Sequence, residues 1–243
     1  MNRFYVKKEN IIAGEIVIDD FADIHHMTRV LRLKEGSAFN VFDPLGWEYS
    51  VELISASSNE IRARIVDKMK ISSEPEVKIT LFQGVPKHGK MENIIQKSVE
   101  LGVNRIVPVF TGRTVLKYSN KRDRWQKISE EAVKQCRRGI IPAVSDEMGF
   151  SEMVHELDQE IFDAVIFAYE NEEGRTLKDI LKNCSEKPKT IALIIGPEGG
   201  FSDEEACALK KAGAESVSLG KTLLRTETAG PAAIAMIMYE VEL

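Results

Sequence analysis

Apolar and polar residues alternate with a period of two in three early stretches: Phe39 and Val41; Tyr49, Val51 and Leu53; Ile61, Ala63 and Ile65. That period buries one face of a strand and leaves the other in water. Asp43-Pro44-Leu45-Gly46 and Ser57-Ser58-Asn59 supply turns between these strands. Arg62 and Arg64 then project together from a polar face. Upstream, His25-His26-Met27-Thr28-Arg29-Val30-Leu31-Arg32 predicts a short helix with Arg29 and Arg32 on one face. Short strands joined by turns predict a small β-barrel over residues 1–72.

From Lys68 to Lys78 the chain carries Ser72-Ser73-Glu74-Pro75, which predicts a linker. Beyond it the period changes. Ile79-Thr80-Leu81-Phe82 is a buried-strand pattern. Met91, Ile94, Ile95 and Val99 then share a helical face over Lys90 to Leu101, and Gly102 supplies the stop. Ile106 to Phe110 reads as a strand whose Pro108 favours a strand end or an edge. A helix follows near Arg124–Arg138, then strands at Ala164–Ala168, Ile191–Ile195 and Ser216–Leu219, with helices after the last two. Strands alternating with helices predict an α/β domain over residues 73–243, a mostly parallel sheet covered on both faces.

Composition fits a globular protein able to build a core: 43% of residues are hydrophobic and 29% charged. No apolar run is long enough to span a bilayer, and the charged Lys7-Lys8-Glu9 interrupts any signal-peptide pattern. Three widely spaced cysteines, Cys136, Cys184 and Cys207, suit reduced thiols in a cytosol. His25, His26, His88 and His155 lack metal-ligand spacing, so no metal site is expected. The net charge of −5 conceals an uneven distribution. Residues 86–138 carry 13 basic and 5 acidic side chains, a net of +8, and residues 139–243 a net of −11. A basic segment in an acidic chain is either a nucleic-acid footprint or a set of solvated helix faces. Lys87, Lys90, Lys97, Arg113, Arg137 and Arg138, with few acids between them, suit phosphate contacts.

Two glycine-containing turns carry the sharpest signal. Ile191 to Ile195 runs into Gly196-Pro197-Glu198-Gly199-Gly200-Phe201-Ser202, and Ser202 with Glu205 has capping-box spacing. A strand, a glycine turn and a helix start place bare backbone N–H groups where α/β proteins bind ligands, although glycine also serves an ordinary tight turn. The pattern is neither a Walker A loop nor G-x-G-x-x-G. Glu198 would repel a polyphosphate but tolerates a cation such as a sulfonium. The second turn is Leu219-Gly220-Lys221-Thr222-Leu223-Leu224-Arg225-Thr226-Glu227-Thr228-Ala229-Gly230-Pro231, ahead of the apolar Ala232–Tyr239. Pro231 fits the first turn of that helix, which predicts a loop before it. Leu223 and Leu224 either line an apolar slot for a base or anchor the loop to the core.

These motifs, with His25 to Arg32, Lys97-Ser98-Val99-Glu100-Leu101-Gly102-Val103, Glu131-Ala132 and Gln135-Cys136-Arg137-Arg138, resemble the ribosomal RNA small subunit methyltransferase E family of the SPOUT superfamily. The resemblance spans nearly the whole chain. It implies a PUA-like RNA-binding barrel and a C-terminal domain with a trefoil knot, which periodicity cannot show. It further implies a cytosolic homodimer with cofactor pockets near the subunit interface. The reaction implied is methylation by S-adenosyl-L-methionine of uridine N3 in 16S rRNA of the small ribosomal subunit. Gly196, Pro197, Glu198, Gly199, Gly200, Leu219, Gly220, Leu223, Leu224 and Ala229 would hold the cofactor, joined by Tyr169 and Glu170.

Uridine N3 carries a proton, so methyl transfer requires its removal or stabilisation of the resulting anion. Arg225 is the candidate cation, and Glu198 or Glu227 the candidate proton acceptor. Two rivals stand beside this reading: a SPOUT enzyme acting on tRNA or on a ribose 2'-hydroxyl, and a ribosome assembly factor without catalysis.

Overall fold

Residues 2–87, 89–115, 120–159, 162–184 and 186–242 are described by the structure, a computed structural model; His88 lies outside them. The chain separates into two units, Met1–Glu74 with Val133–Ile141, and Pro75–Ala132 with Pro142–Leu243. The return segment Val133–Ile141 belongs with the first unit, whereas the sequence pattern placed it with the second.

The first unit holds strands β1 (Arg3–Tyr5), β2 (Ile11–Ile12), β3 (Glu15–Ile18), β4 (Ala38–Phe42), β5 (Trp47–Ala56) and β6 (Ile61–Lys70), with helix α1 (Phe21–His25) before β4. They pair in the order β1-β4-β5-β6-β3-β2, antiparallel except for β1 with β4. The alternation sorts the residues as expected. Phe39, Val41, Tyr49, Val51, Leu53, Ile61 and Ala63 join Phe4, Ile16, Ile18, Ile24 and Met27 in one core. Arg62 and Arg64 lie outside it, beside Glu15 and Glu52. Each large apolar side chain so buried contributes roughly 1.5–3 kcal/mol. β6 runs on to Lys70, so the start of the predicted linker is strand.

The predicted helix around His25 starts earlier, where the Asp20 carboxylate accepts from the Asp23 N–H at 2.9 Å. It widens over His26–Val30 into a turn closed by Leu31 N–H to the His26 carbonyl. Arg32 lies past the end with φ of 52°. Arg29 and Arg32 therefore do not share a regular helical face, because the widened turn and a left-handed residue separate them.

The return segment is tied down by Glu74. Its carboxylate accepts from the Gly139 and Ile140 N–H groups at 2.6 and 2.9 Å and pairs with Arg138 at 2.9 Å. The helix that leads into this segment stops at Cys136, where Arg137 takes φ of 63°.

The second unit contains strands β7 (Lys78–Gly84), β8 (Arg105–Phe110), β9 (Ala143–Val144), β10 (Met148–Gly149), β11 (Ala164–Ala168), β12 (Thr190–Ile195) and β13 (Glu215–Val217). Its helices are α2 (Lys90–Glu100), α3 (Arg122–Cys136), α4 (Phe150–Gln159), α5 (Leu177–Asn183), α6 (Asp203–Lys211) and α7 (Thr226–Val241); α3 runs on into the first unit's return segment. The sheet order is β10-β8-β7-β12-β11-β13, with β9 also beside β8, and every pair is parallel. Both faces are covered. Phe82 packs among Val107, Phe167 and Ile194 with Met153 of α4 and Leu209 of α6. The neighbouring Leu81 and Gln83 meet Gly230 of α7 on the other face.

Two proline expectations need correction. Pro108 sits inside the sheet, between β7 and the β9–β10 side. Val109 offers its carbonyl to Val85 N–H on the β7 side, and Ile106 offers its carbonyl to Ser145 on the other. The nitrogen of Pro108 thus faces the gap between β9 and β10, where no ladder bond is lost. Pro231 lies inside α7, which begins at Thr226. One helical bond is missing there, while the anchored Thr226 holds the preceding turn in helical form (see below).

Candidate functional site

In a parallel sheet with helices on both faces, ligands collect at the carboxyl ends of the strands. Here the segments leaving β11, β12 and β13 converge with the starts of α2 and α7 around a cavity of about 600 Å³. After β11 come Tyr169 and Glu170. Next to them lie Gly196, Pro197, Glu198, Gly199 and Gly200 after β12. Leu219, Gly220, Leu223, Leu224 and Arg225 follow β13, and Glu227 and Ala229 belong to α7. The structure thus brings together the twelve residues singled out for the cofactor and the three for catalysis. It adds Lys90, Ser218, Lys221, Thr222 and Thr226, which were not assigned to this wall.

The loop after β12 is shaped by what its glycines lack. Gly200 N–H bonds to the Pro197 carbonyl at 2.9 Å, and Gly200 has φ of 64°. A Cβ on Gly200 would collide with the Glu170 carboxylate. The end of β7 presses on the same loop, since a Cβ on Gly84 would strike the Pro197 nitrogen. Ser202 and Glu205 form the predicted capping box at the start of α6.

Beneath the cavity lies a buried polar junction that the pattern analysis missed. The Gln83 Nε2 donates to Thr226 Oγ1, whose hydroxyl donates to the Gly196 carbonyl. A signal existed: Gln83 is the one amide in the apolar run from Ile79 to Val85. A fully buried glutamine needs partners.

Charge at the cavity is arranged in pairs. Lys90 Nζ lies 3.1 Å from the Glu227 carboxylate and 3.5 Å from that of Glu198. The Lys87 N–H also donates to Glu198 at 3.0 Å. Glu227 is held below the usual carboxylate range, chiefly by its own backbone N–H at the start of α7. Burial opposes that, and Lys90 and Arg225 add to the lowering.

Several residues taken for phosphate contacts have other employment. Arg113 Nη1 donates to the Gly199 carbonyl at 2.7 Å, so it braces the glycine loop. Lys90 serves the two glutamates, and Lys97 pairs with Glu100 one turn away at 2.9 Å. Arg138 is 5% exposed and paired with Glu74. Arg29, Arg32 and Arg137 are exposed. No group of three metal-ligating side chains occurs among the described residues. No helix among them is long and apolar enough to cross a membrane.

A glycine-lined cavity at the carboxyl edge of a parallel sheet defines a small-ligand enzyme site, and sequence comparison narrows its class. Residues 73–238 match the RNA methyltransferase domain family, and residues 18–66 match the RNA methyltransferase PUA domain family. The chain belongs to the ribosomal RNA small subunit methyltransferase E family. It is 30% identical to the Bacillus subtilis member over 253 residues, covering 100% of this chain and 98% of the relative. With the Synechocystis member it shares 34% identity, covering 97% and 76%. In three dimensions it resembles the Neisseria gonorrhoeae member crystallised with S-adenosyl methionine, at a TM-score of 0.85 and 29% identity. That match covers 98% of this chain and 97% of the other.

Proposed function

We propose that this protein transfers a methyl group from S-adenosylmethionine to N3 of a uridine in 16S rRNA of the small ribosomal subunit. The carrying observation is the cavity walled by both glycine-containing turns, at 196–200 and 218–225. Its volume suits a ligand of that size. Bare backbone at Gly196, Gly199, Gly200 and Gly220 suits the adenosine and amino-acid portions of such a ligand, and the turn at 196–200 carries a glutamate and no lysine. The sulfonium supplies an already activated methyl group. The protein's task is then to align the acceptor, exclude water and manage the N3 proton.

Arg225, exposed on the cavity wall, is placed to stabilise the negative charge that spreads over the uracil carbonyls. Glu198 and Glu227, both paired with Lys90 at the cavity wall, are the candidate proton acceptors. Tyr169 and Glu170 close the side of the cavity beside Gly200. The PUA-like unit of residues 1–72 supplies RNA contacts through Arg29 and Arg32, and the protein works in the cytosol as a homodimer. Met236 and Tyr239, exposed on α7, offer apolar surface for the subunit contact.

Transfer of tritium from labelled S-adenosylmethionine to small subunits, followed by mass spectrometry of the rRNA nucleosides, tests this function. N3-methyluridine is expected; label on tRNA or on a ribose hydroxyl would transfer the reading to a different substrate, and no label at all would end it. Arg225→Ala should lose at least about a hundredfold in rate with RNA binding retained. A normal rate in that variant removes Arg225 from the mechanism.

A further inference from the structure

Of the glutamates that line the cavity, Glu198 and Glu227 are already engaged with Lys90, and Glu198 also accepts the Lys87 N–H. Glu170 makes no hydrogen bond or ion pair among the described residues. Its backbone is nonetheless anchored. Tyr169 N–H bonds to the Val217 carbonyl at 3.0 Å, at the end of β13. Glu172 N–H then closes a turn on the Tyr169 carbonyl at 3.2 Å, with Glu170 at its first corner. The side chain is placed as well, because the carboxylate rests against Gly200, where a Cβ would meet both of its oxygens. Gly200 therefore does more than accept a positive φ: it leaves room for an acid at the wall. Just past the carboxyl end of β11, an exposed carboxylate so placed offers two hydrogen-bond acceptors to the cavity.

We propose that Glu170 recognises the sugar of the methyl donor: its two carboxylate oxygens accept the O–H groups of the ribose 2'- and 3'-hydroxyls. This inference rests on the use of S-adenosylmethionine proposed above and assigns one group of that donor to one residue. The donor offers a carboxylate two partners, the ribose diol and the ammonium of its methionine end. The methionine end carries its own carboxylate on the same carbon as the ammonium, and Glu170 would repel it. No cation pairs with Glu170 to offset that repulsion among the described residues, since Lys90, Lys221 and Arg225 line the cavity from other segments. A ribose diol brings two donors on adjacent carbons and no charge, which suits both oxygens at once. Dinucleotide-binding folds set an acidic residue on a ribose hydroxyl through the same chemistry. The sheet order fits this division. Glu170 follows β11, whereas Glu198 and Lys90 follow β12 and β7, one and two strands away at about 4.8 Å each. The reacting end and the sugar of one donor thus have separate places.

Calorimetry on the full-length protein compares wild type with Glu170→Ala and Glu170→Gln. The probes are S-adenosylmethionine, 5'-methylthioadenosine, which keeps the sugar but lacks the amino-acid arm, and its 2'-deoxy form. Glu170→Ala should bind the first two compounds about tenfold more weakly than wild type, by the same factor for each. Removing the 2'-hydroxyl should cost wild type about fivefold, and Glu170→Ala less than about twofold, because the variant has no partner left to lose. Glu170→Gln keeps the packing on Gly200 with one acceptor fewer and should fall between the two. A loss confined to S-adenosylmethionine would set Glu170 on the ammonium and overturns the proposal. Unchanged affinity in Glu170→Ala does so too, as does a deoxy penalty that persists in that variant. Wild type that takes up neither S-adenosylmethionine nor methylthioadenosine ends the donor assignment and this proposal together. Wild type that binds both yet methylates no subunit counts against the function alone.

Discussion

The Thr226 hydroxyl donates to the Gly196 carbonyl at 2.6 Å while accepting from the Gln83 amide at 2.9 Å, all three residues being buried. The end of β7, the glycine loop and the start of α7 are thereby pinned together below the cavity. Gly230 allows the approach, since a Cβ there would stand 3.0 Å from Gln83 Oε1. Thr226→Val keeps the shape and removes the hydroxyl. It should lower unfolding free energy by about 1–3 kcal/mol, through unsatisfied buried groups. S-adenosylmethionine affinity should fall about tenfold with it, a displacement of about 1.4 kcal/mol. Thr226→Ser should recover both quantities. Urea unfolding and calorimetry decide, and undiminished donor affinity in the valine variant would show the loop keeps its form unaided.

Gly200 is required twice over, by its positive φ and by the Glu170 carboxylate that lies where a Cβ would be. Gly200→Ala should cost about 1–2 kcal/mol in backbone strain alone. It should abolish measurable donor binding while leaving the circular dichroism spectrum intact. Pairing it with Glu170→Ala relieves the collision but not the strain, so donor affinity should return only in part.

Arg113 holds the Gly199 carbonyl, and its methylenes lie beside Gly199, where a Cβ would come within 3.1 Å. Arg113→Met should therefore weaken the donor by roughly fivefold through one lost charge-assisted bond. Subunit affinity in the absence of donor should be retained. Weaker RNA binding with normal donor affinity would return Arg113 to the phosphate-contacting set.

Glu74 and Arg138 form a nearly dry pair that also satisfies two backbone N–H groups. Glu74→Ala removes one carboxylate partner of the buried guanidinium and the acceptor of two backbone N–H groups, and should destabilise the fold by about 1–3 kcal/mol, read by chemical denaturation. Arg137→Ala, at an exposed position, should leave stability nearly unchanged.

The pH dependence of Glu227 follows from its lowered pKa. A carboxylate whose folded pKa lies below the ordinary 4.5 contributes stability that is fully present above that value. The contribution is lost as pH falls through the folded pKa. Thermal unfolding of wild type and Glu227→Gln should show a constant gap above about pH 5, closing in more acid solution. A gap that persists unchanged to pH 3 would contradict the assignment.

Much of the architecture was legible as periodicity. Tyr49, Val51 and Leu53, or Met91, Ile94, Ile95 and Val99, announce their elements because a buried face repeats at the spacing of strand or helix. The short elements were not legible. β9, β10 and α5 carry too few residues to display a period, and β1 pairs in parallel with β4 across more than thirty residues of chain. The prolines misled for a related reason. Whether Pro108 or Pro231 is tolerated depends on which side its nitrogen faces and on what holds the neighbouring turn, both properties of the assembled structure.

Residue order alone was sufficient for the two glycine-containing turns, the capping box at Ser202, the alternating domains and the resemblance to a methyltransferase family. Those are local facts, written in neighbouring residues and their covalent spacing. Which charges meet was decided by tertiary structure: Lys90 between Glu198 and Glu227, Arg113 on Gly199, Arg138 on Glu74. Charge counting along a chain cannot distinguish a cation facing solvent from one held by a carboxylate or carbonyl far away in the sequence. That distinction arises when packing brings distant groups within a few ångströms and removes the water between them.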